Sequence, residues 1–321
     1  MGEPHFGPFQ LPQGSERVLD ADEEVFLLYT ELQSHTQEDC QGSGFRGLGH
    51  IDSHKDILTV KFELEPPTLP QDHLGTKGRK RQKKRRKSGP VEVEVQIAQD
   101  KTALMSRKGD TGSVLWHASV DFARLVLQQA HFPHPASFVQ ADMLKQCHVM
   151  ELGAGTGLLS IALSPLVKHY TVTDIDALIP LIKKNVQLNI PNDSDSNITV
   201  SALDWLVLQS ASPSSRRANF QFDSPPIDVL LVVDCIYHPS LLPSLVETMN
   251  FLAVPERTVA LVVVELRAED VIREFLQLWI DKECWEVWRV DNQVLGKPYA
   301  TWAGIKKLEA VDVPTTKSIM Q

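Results

Sequence analysis

The sequence contains few cysteines and no grouping of residues typical of a metal site or a disulfide framework. Its 321 residues include four cysteines with no CxxC pair among them: Cys40, Cys147, Cys235 and Cys284. Isolated thiols are typical of proteins in a reducing compartment, and a zinc site would need further Cys or His ligands nearby. We therefore expect free thiols and no bound metal.

Long apolar runs and targeting signals are also missing. No apolar run approaches the ~18 residues that a membrane span needs, and the start MGEPHFGPFQ has neither the basic beginning nor the apolar segment of a signal peptide. Phe6 stands where a myristoylation signal on Gly2 would have Ser or Thr. Hydrophobic residues make up 42% of the chain, which excludes global disorder. We expect a soluble, intracellular protein that does not associate with membranes.

The charge is unevenly distributed. The chain has a net charge of −9, yet residues 77–87, KGRKRQKKRRK, contain nine Lys or Arg and no acid. An acidic body with one basic loop differs from a protein that binds nucleic acid over a broad face. We interpret 77–87, in a predicted loop over 66–90, as a nuclear localisation signal, with RNA contact or no specific role as alternatives. The expected location is the cytoplasm, the nucleus or both.

Two segments before residue 100 alternate between apolar and polar residues. They are DILTVKFELE at 56–65 and VEVEVQIAQ at 91–99. A period of two predicts half-buried strands, and we expect these two to pair as a hairpin. A short helix is predicted around 23–32. Residues 1–110 are therefore interpreted as an N-terminal extension that carries the hairpin and the basic loop.

From about residue 111 the pattern changes to apolar strands that alternate with helices, which is typical of a parallel sheet covered on both faces. Strands are predicted at 148–152, 170–174, 198–204, 229–234 and 258–266, helices at 156–163, 177–188 and 241–252, a surface loop at 209–226, and an antiparallel edge hairpin at 284–290 and 299–308. The predicted fold class is α/β, a Rossmann-like doubly wound seven-stranded sheet with an antiparallel final strand. It covers residues 111–310, and a tail follows at 311–321.

A glycine-rich turn, ELGAGTGLLS at 151–160, links the first strand of this sheet to its first helix. Glycine permits a tight turn and lets backbone N–H groups approach a ligand closely, which makes Gly153, Ala154, Gly155 and Gly157 candidate ligand contacts. Asp174 ends the second strand, 19 residues after Gly155. A carboxylate at that place can accept both hydroxyls of a ribose, so we predict a ligand that contains a nucleoside.

The spacing of this turn favours S-adenosylmethionine over a dinucleotide. Leu158 occupies the third glycine position of the dinucleotide pattern, and no GxxxxGK[ST] loop is present. The turn follows an acid, Glu151, which suits a ligand without pyrophosphate whose amino acid end lies along the glycines. Trp205 offers a flat face for adenine, or plain core packing, and Asp204 an acceptor for its exocyclic amine. Trp116, before an amphipathic helix expected to cover the pocket, is a further candidate, with packing as the alternative.

Five motifs, TGSVLW, ELGAGTG, TVTD, LDW and DCIY, occur in this order over residues 90–310. Together they resemble the seven-β-strand protein lysine methyltransferases, methyltransferase family 16, whose hallmark is an Asp-x-x-Tyr motif after the fourth strand. Within that family the chain is similar to the fungal ribosomal lysine methyltransferases. The resemblance implies cofactor contacts from Trp116, 153–155, Asp174, Trp205 and Val233, where the family usually has Ala. It also implies a substrate-lysine channel at Asp234 and Tyr237.

The segment VVDCIYHPS at 232–240 suits this chemistry. An apolar channel disfavours the charged form of lysine and so favours the neutral amine that methyl transfer requires. Asp234 can attract the ammonium and then orient the amine, and Tyr237 can offer its ring face to the cation. The alternative is that Asp234 caps the helix that begins near Pro239. A general-base role for Asp234 stays open, and Cys235 is predicted to face the core.

The predicted function is an S-adenosylmethionine-dependent protein-lysine N-methyltransferase, and we expect it to be a monomer. Ribosomal or translation-associated proteins are the substrates that the resemblance implies. The alternatives are an RNA methyltransferase, a small-molecule methyltransferase and a non-catalytic interaction module that keeps the fold. Base-methylating enzymes carry a Pro-Pro-aromatic loop after the fourth strand, whereas SPP at 224–226 precedes that strand here.

Overall fold

The computed structural model describes residues 5–39, 48–52, 55–67, 89–100, 112–192, 196–222 and 225–308. These residues form a central eight-stranded sheet and a separate two-stranded hairpin. The basic run 77–87, most of the loop around it, Cys40 and the tail lie outside the described residues. The strands are β1 (Glu16–Arg17), β2 (Ile57–Leu64), β3 (Val91–Ala98), β4 (His148–Leu152), β5 (His169–Asp174), β6 (Ile198–Ala202), β7 (Val229–Val233), β8 (Val259–Glu265), β9 (Trp285–Arg289) and β10 (Tyr299–Lys306).

Helices cover both faces of the central sheet. One core cluster joins the sheet to the hairpin and to the helices at His117–His131, Leu158–Leu163 and Ile179–Asn189, and a second joins the other face to the helices at Ala21–Asp39, Leu242–Leu252 and Glu269–Ile280. Within the described ranges, no helix combines the length and the apolar composition needed to span a bilayer. The helices are α1 (Ala21–Asp39), α2 (His117–His131), α3 (Ala141–Leu144), α4 (Leu158–Leu163), α5 (Ile179–Asn189), α6 (Trp205–Ser210), α7 (Pro213–Asn219), α8 (Leu242–Leu252) and α9 (Glu269–Ile280).

The strand order is β1-β9-β10-β8-β7-β4-β5-β6, with β6, β5, β4, β7 and β8 parallel to one another. This confirms the doubly wound α/β prediction, with one difference. The short strand β1 pairs with β9 and adds an eighth strand at the edge. The final strand β10 is antiparallel, as predicted, and pairs with β8 and β9, so β9 and β10 form the predicted antiparallel hairpin on this side of the sheet. Seven of its eight residues are buried, as expected for a strand whose two faces are both covered.

The sequence pattern did not predict four helices, α3, α6, α7 and α9. Helix α9, between β8 and β9, buries one face that includes Val271, Phe275 and Trp279, the spacing of an amphipathic helix. Helices α6 and α7 occupy much of the segment 205–219, although residues 209–226 were predicted as a surface loop. Asp204 and Ser212 cap these two short helices with their side chains, and such caps stabilise helices whose sequences lack a strong apolar period.

The predicted hairpin is confirmed, and it is fastened to the sheet domain. Strands β2 and β3 pair antiparallel from Ile57 opposite Ala98 to Leu64 opposite Val91. Asn185 bonds both the N–H and the C=O of Ala98, at 2.7 and 3.0 Å, and Asn189 does the same for Gln96, at 2.8 Å each. Asn185 and Asn189 are four residues apart and lie on the same face of α5, whereas Gln96 and Ala98 are two residues apart and present their backbone groups on the same edge of β3. The two side chains therefore match the two backbone positions. The domain boundary at residue 110 stays a prediction.

Candidate active site

A cavity of about 360 Å³ opens at the carboxyl ends of β4, β5 and β7. Ligands of doubly wound sheets bind at this place, outside the carboxyl ends of the strands. All of the predicted site residues except Glu151 and Gly157 line it, namely Trp116, Gly153, Ala154, Gly155, Asp174, Asp204, Trp205, Val233, Asp234 and Tyr237. The fold therefore brings together residues that are spread over more than a hundred positions of the chain.

The glycine turn needs its glycines for two reasons. Gly153 and Gly155 adopt positive φ angles of 66° and 57°, which residues with a Cβ rarely adopt. A Cβ on Gly153 would stand 2.7 Å from Cys235 Sγ and 3.1 Å from the Trp205 ring, and a Cβ on Gly155 would stand 2.9 Å from the carbonyl oxygen of Gly112. The backbone of Gly153 and Gly155 therefore lines the cavity directly, with Cys235 and Trp205 close to Gly153 and Gly112 close to Gly155.

Gly157 serves packing outside the cavity wall. It is the N-cap of α4 with a φ of 78°, and a Cβ there would approach Ile182 to 3.1 Å. The structure thus separates Gly157 from the ligand contacts with which it was grouped in the sequence.

Asp174 connects the end of β5 to the glycine turn. Its Oδ2 accepts from the Gly155 N–H at 2.7 Å and its Oδ1 from the Ile175 N–H at 2.7 Å. The Asp174 carboxylate also lines the cavity, and carboxylate oxygens can each accept more than one hydrogen bond. The geometry is compatible with the predicted contact to a ribose.

Glu151 lies beneath the cavity, in contrast to its prediction as a cofactor contact. Successive residues of β4 face opposite sides of the sheet, and the carboxyl of Glu151 accepts from the hydroxyl of Tyr170 at 2.9 Å. Burial raises the pKa of Glu151 to about 8, opposed by this hydrogen bond and assisted by the nearby charge of Asp174. Glu151 therefore belongs to a buried polar pair under the turn.

Trp205 and Asp204 form the wall that faces the glycine turn. The Trp205 ring packs over Gly153 and lines the cavity, and the side chain also packs against the hydrophobic core on that side of the sheet. Asp204 Oδ1 accepts from the N–H groups of Leu206 and Val207 at 2.9 and 3.3 Å, which caps α6. Asp204 consequently holds Trp205, the first residue of α6, at the cavity.

Asp234 is the first residue after β7 and has an unusual backbone conformation. Its φ is +58°, its N–H donates to Val263 O at 2.8 Å, and its side chain is 4% exposed. Burial raises the pKa of Asp234, although the neighbouring Arg267 guanidinium opposes this effect. A non-glycine residue in the left-handed region is uncommon and typical of functional sites.

The capping alternative for Asp234 is wrong. The turn at Pro239–Leu241 has His238 as its N-cap, whose Nδ1 accepts from the Ser240 N–H at 3.3 Å. The carboxylate of Asp234 instead lies at the cavity wall, where Oδ1 accepts from the N–H of Glu265 at 3.3 Å.

The residues around Asp234 complete the floor and rim of the cavity. Tyr237 is 37% exposed and stands at the opening, while Val233 is buried in the wall. Cys235 is buried in the core, as predicted, and its thiol donates to Leu152 O at 3.2 Å on the cavity floor. Burial raises the pKa of the Cys235 thiol well above its ordinary value. The thiol therefore stays protonated and acts as a packing group.

Sequence reasoning missed two charged residues next to this wall. Glu265 ends β8, with a fully buried side chain, and the guanidinium of Arg267 lies 4.7 Å from the centroid of the Trp116 ring. Arg267 donates to both Asp234 and Glu265 at 2.6 Å. The available signal was the segment VALVVVELR at 259–267, in which charges follow an apolar strand at the sheet end that also carries Asp234.

Comparisons with known proteins agree with this geometry. A family model described as "Lysine methyltransferase" matches residues 95–280, which include all of the residues that line the cavity. The chain is 26% identical, over 328 aligned positions, to Ribosomal lysine N-methyltransferase 5 of Candida glabrata, covering 84% of this chain and 91% of that protein.

Two other relatives match over shorter segments. A protein of Schizosaccharomyces pombe named "Diaminohydroxyphosphoribosylamino-pyrimidine deaminase" is 32% identical over 187 residues, 57% of this chain and 41% of that protein. Protein N-lysine methyltransferase METTL21A of Xenopus tropicalis is 32% identical over 118 residues, 37% of this chain and 49% of that protein. The chain thus spans less than half the length of these two relatives.

The family implies S-adenosylmethionine as the cofactor, and the described residues fit it. The bare backbone at Gly153 and Gly155 leaves room for the amino acid end, Asp174 presents acceptors for ribose hydroxyls, and the Trp205 ring presents a flat apolar face. The family match covers more than half of the chain and contains this complete cavity. The chain therefore belongs to the lysine methyltransferase family.

Proposed function

We propose that this protein is an S-adenosylmethionine-dependent protein-lysine N-methyltransferase. The observation that carries the proposal is that Asp234 and Tyr237 line the same cavity as the glycine turn and Asp174. An acidic and aromatic pair suited to an ammonium group therefore stands beside a wall suited to a nucleoside.

The residues around the acceptor nitrogen have to supply a neutral, oriented amine. When bound, S-adenosylmethionine supplies a methyl group on a positively charged sulfur, which becomes a neutral thioether as the lysine nitrogen takes the methyl group. Lysine has a reference pKa of about 10.4, so roughly one amine in a thousand is neutral near pH 7.4, a deficit of about 4 kcal/mol. Apolar neighbours such as Val233 and Leu241 disfavour the ammonium and reduce this deficit.

Asp234 and Tyr237 then divide the remaining work. The carboxylate of Asp234 attracts the incoming ammonium and, after the proton has left to water, accepts a hydrogen bond from the amine and so orients its lone pair. The ring of Tyr237, at the opening of the cavity, stabilises the cation as it enters. These roles need positioning and desolvation, and they require no covalent intermediate.

Ribosomal or translation-associated proteins are the proposed substrates. The support is the relative in Candida glabrata, which bears the name of a ribosomal lysine methyltransferase and aligns with 84% of this chain. We further propose that the protein acts as a monomer. Analytical ultracentrifugation with and without the cofactor tests this.

The basic run at 77–87 is proposed to direct nuclear import. Its nine basic residues among eleven support this role. A fluorescent fusion in which these nine residues are replaced by Gln should lose nuclear enrichment. Equal distribution of the two fusions would contradict the proposal.

A labelling experiment tests the catalytic function. Purified protein is incubated with tritiated S-adenosylmethionine and an extract from cells that lack it, followed by separate protease and nuclease digestions. We expect protease-sensitive label as acid-stable methyl-lysine, and a loss of at least 100-fold in rate with Asp234→Asn.

The control variant is Asp142→Asn, because Asp142 is an exposed carboxylate on α3. It should label as the wild type does, and both variants should bind the cofactor. Nuclease-sensitive label would support the RNA methyltransferase alternative, and cofactor binding without any macromolecular label would overturn the proposal.

A further inference from the structure

One guanidinium joins the two buried carboxylates beside the cavity. Arg267 donates from one nitrogen to Asp234 Oδ2 and to Glu265 Oε2, at 2.6 Å each. The two carboxylate side chains are 4% and 0% exposed, whereas that of Arg267 is 28% exposed. The same guanidinium stacks over the ring of Trp116, which lines the cavity. Arg267 therefore connects a wall of the cofactor cavity to the carboxylate proposed to orient the substrate lysine.

Residues 48–51, here called the strap, hold this cluster from the other side. The Glu265 carboxylate accepts from the N–H groups of Leu48 and Gly49. The strap is in turn bonded to the start of α2, through Ile51 N–H to Leu115 O at 2.7 Å and His117 N–H to Gly49 O at 3.1 Å. It lies outside the residues that match the family model. Backbone N–H groups of the N-terminal extension thus hold the Glu265 carboxylate in place, and this carboxylate in turn holds the guanidinium of Arg267.

We propose that Arg267 is a positioning residue for the methyl transfer, which holds the carboxylate of Asp234 ionised and in place at the cavity wall. Glu265 and the strap anchor Arg267 for this role. The inference rests on the proposed function, because it assigns Arg267 to the same lysine-orienting site. The planar guanidinium suits this task, because Nη2 reaches both carboxylates while the face of the group stacks on the Trp116 ring.

The charges around Asp234 explain why a cation is needed there. Burial raises the pKa of Asp234, Arg267 opposes this, and the negative charge of Glu265 adds to it. Among the described residues, the cation within hydrogen-bonding distance of Asp234 is Arg267. The other titratable groups around this cluster are Asp121, Asp174, Tyr237, Tyr299, Cys235 and His50.

The pH dependence of catalysis tests this role. Below the pKa of the substrate lysine, log kcat/KM rises with a slope of about one, because the neutral amine is the reactive form. Below the pKa of Asp234 the slope becomes about two, because the ionised carboxylate is also required. Since Arg267 lowers that pKa, Arg267→Gln should move the break to higher pH. Since Glu265 raises it, Glu265→Gln should move the break to lower pH.

The experiment compares kcat/KM of these variants from pH 5.5 to 9 with a methyl-accepting protein from the labelling experiment. Arg267→Gln should also lower kcat/KM at pH 7 by about 10- to 100-fold through misplacement of Asp234. Arg267→Lys keeps the charge and should keep the wild-type break with a smaller loss. Arg257→Gln is the matched control, because Arg257 forms an ion pair with Asp228 at the opposite end of β7.

Each outcome decides the question. Opposite shifts of the break in Arg267→Gln and Glu265→Gln support the proposal, and any other pattern overturns it, whether the break stays in place, moves in one variant alone or moves the same way in both. If Arg267→Gln does not bind the cofactor, the direction of the shift in Glu265→Gln decides alone. A wild-type protein that methylates no protein would instead refute the proposed function.

Discussion

Replacing Gly153 with alanine tests the two reasons why the turn needs glycine, which are the positive φ angle and the lack of room for a Cβ atom. The positive φ alone costs Ala about 1–2 kcal/mol, which is partly offset by about 0.4–1 kcal/mol of reduced unfolded-state entropy. The added Cβ would also stand 2.7 Å from Cys235 Sγ and 3.1 Å from the Trp205 ring. Because both neighbours are packed, this overlap costs a further ~1–3 kcal/mol. We expect Gly153→Ala to lower the free energy of unfolding by about 2–4 kcal/mol.

The matched control is Gly296→Ala, because Gly296 has a φ of +81° and no atom within 4 Å of a new Cβ. It should lose only about 1 kcal/mol, the contribution of the backbone conformation. Urea unfolding measures both variants, and calorimetry should show at least tenfold weaker cofactor binding for Gly153→Ala alone, since Trp205 is displaced. Equal losses of stability in the two variants would refute the argument from close approach.

A second substitution locates the overlap. Cys235→Ala removes the Sγ that the new Cβ meets, so the double variant Gly153→Ala with Cys235→Ala should lose less stability than the sum of the two single losses. A coupling free energy of at least ~0.5 kcal/mol is expected for residues in contact. Strict additivity would place the overlap elsewhere.

Three further predictions concern the supports of the site. Asn185→Ala leaves the buried backbone N–H and C=O of Ala98 without their partners, so it should lower the free energy of unfolding, measured in urea, by about 2–4 kcal/mol. Asn189→Ala, at a more exposed position, should lower it by about 1 kcal/mol, and equal losses would contradict this argument. Folding raises the pKa of Glu151 from 4.5 to about 8, so the stability that protonated Glu151 contributes is lost as the pH rises between these values, by about 1.4 kcal/mol per pH unit. The free energy of unfolding of Glu151→Gln, relative to the wild type, should therefore increase from pH 5 to pH 8. A difference that does not change with pH would contradict this prediction. Tyr237→Phe should retain most of kcat/KM, whereas Tyr237→Ala should lose at least tenfold, because the ring face stabilises the cation; equal losses would point to the hydroxyl.

Much of the site was predictable because its signals are local. The glycine turn, the acid at the end of β5 and the Asp-x-x-Tyr segment each follow an apolar strand, and parallel strands present their carboxyl ends at one edge of the sheet. That rule brings Gly153, Asp174 and Asp234 together without any coordinates. The helix α9 was missed although its amphipathic spacing is present in the sequence.

Glu151 shows where a local motif misleads. The sequence places it two residues before Gly153, but the alternation of a strand turns its side chain away from the cavity and towards Tyr170. Gly157 is a similar case. Its positive φ and its lack of a Cβ allow the close packing of the α4 N-cap against Ile182 and do not by themselves indicate a ligand.

The amino-acid sequence by itself determined the alternation of strands and helices, the glycine turn and the acidic strand ends, because hydrophobic period and backbone freedom are properties of short segments. Only the tertiary structure decided which distant groups meet. Leu48 of the strap lies 217 residues before Glu265 in the chain, yet it donates to the Glu265 carboxylate, which shares Arg267 with Asp234. These contacts depend on how the N-terminal extension packs against the carboxyl end of β8. The hydrophobic period of one segment cannot predict which distant segment it contacts.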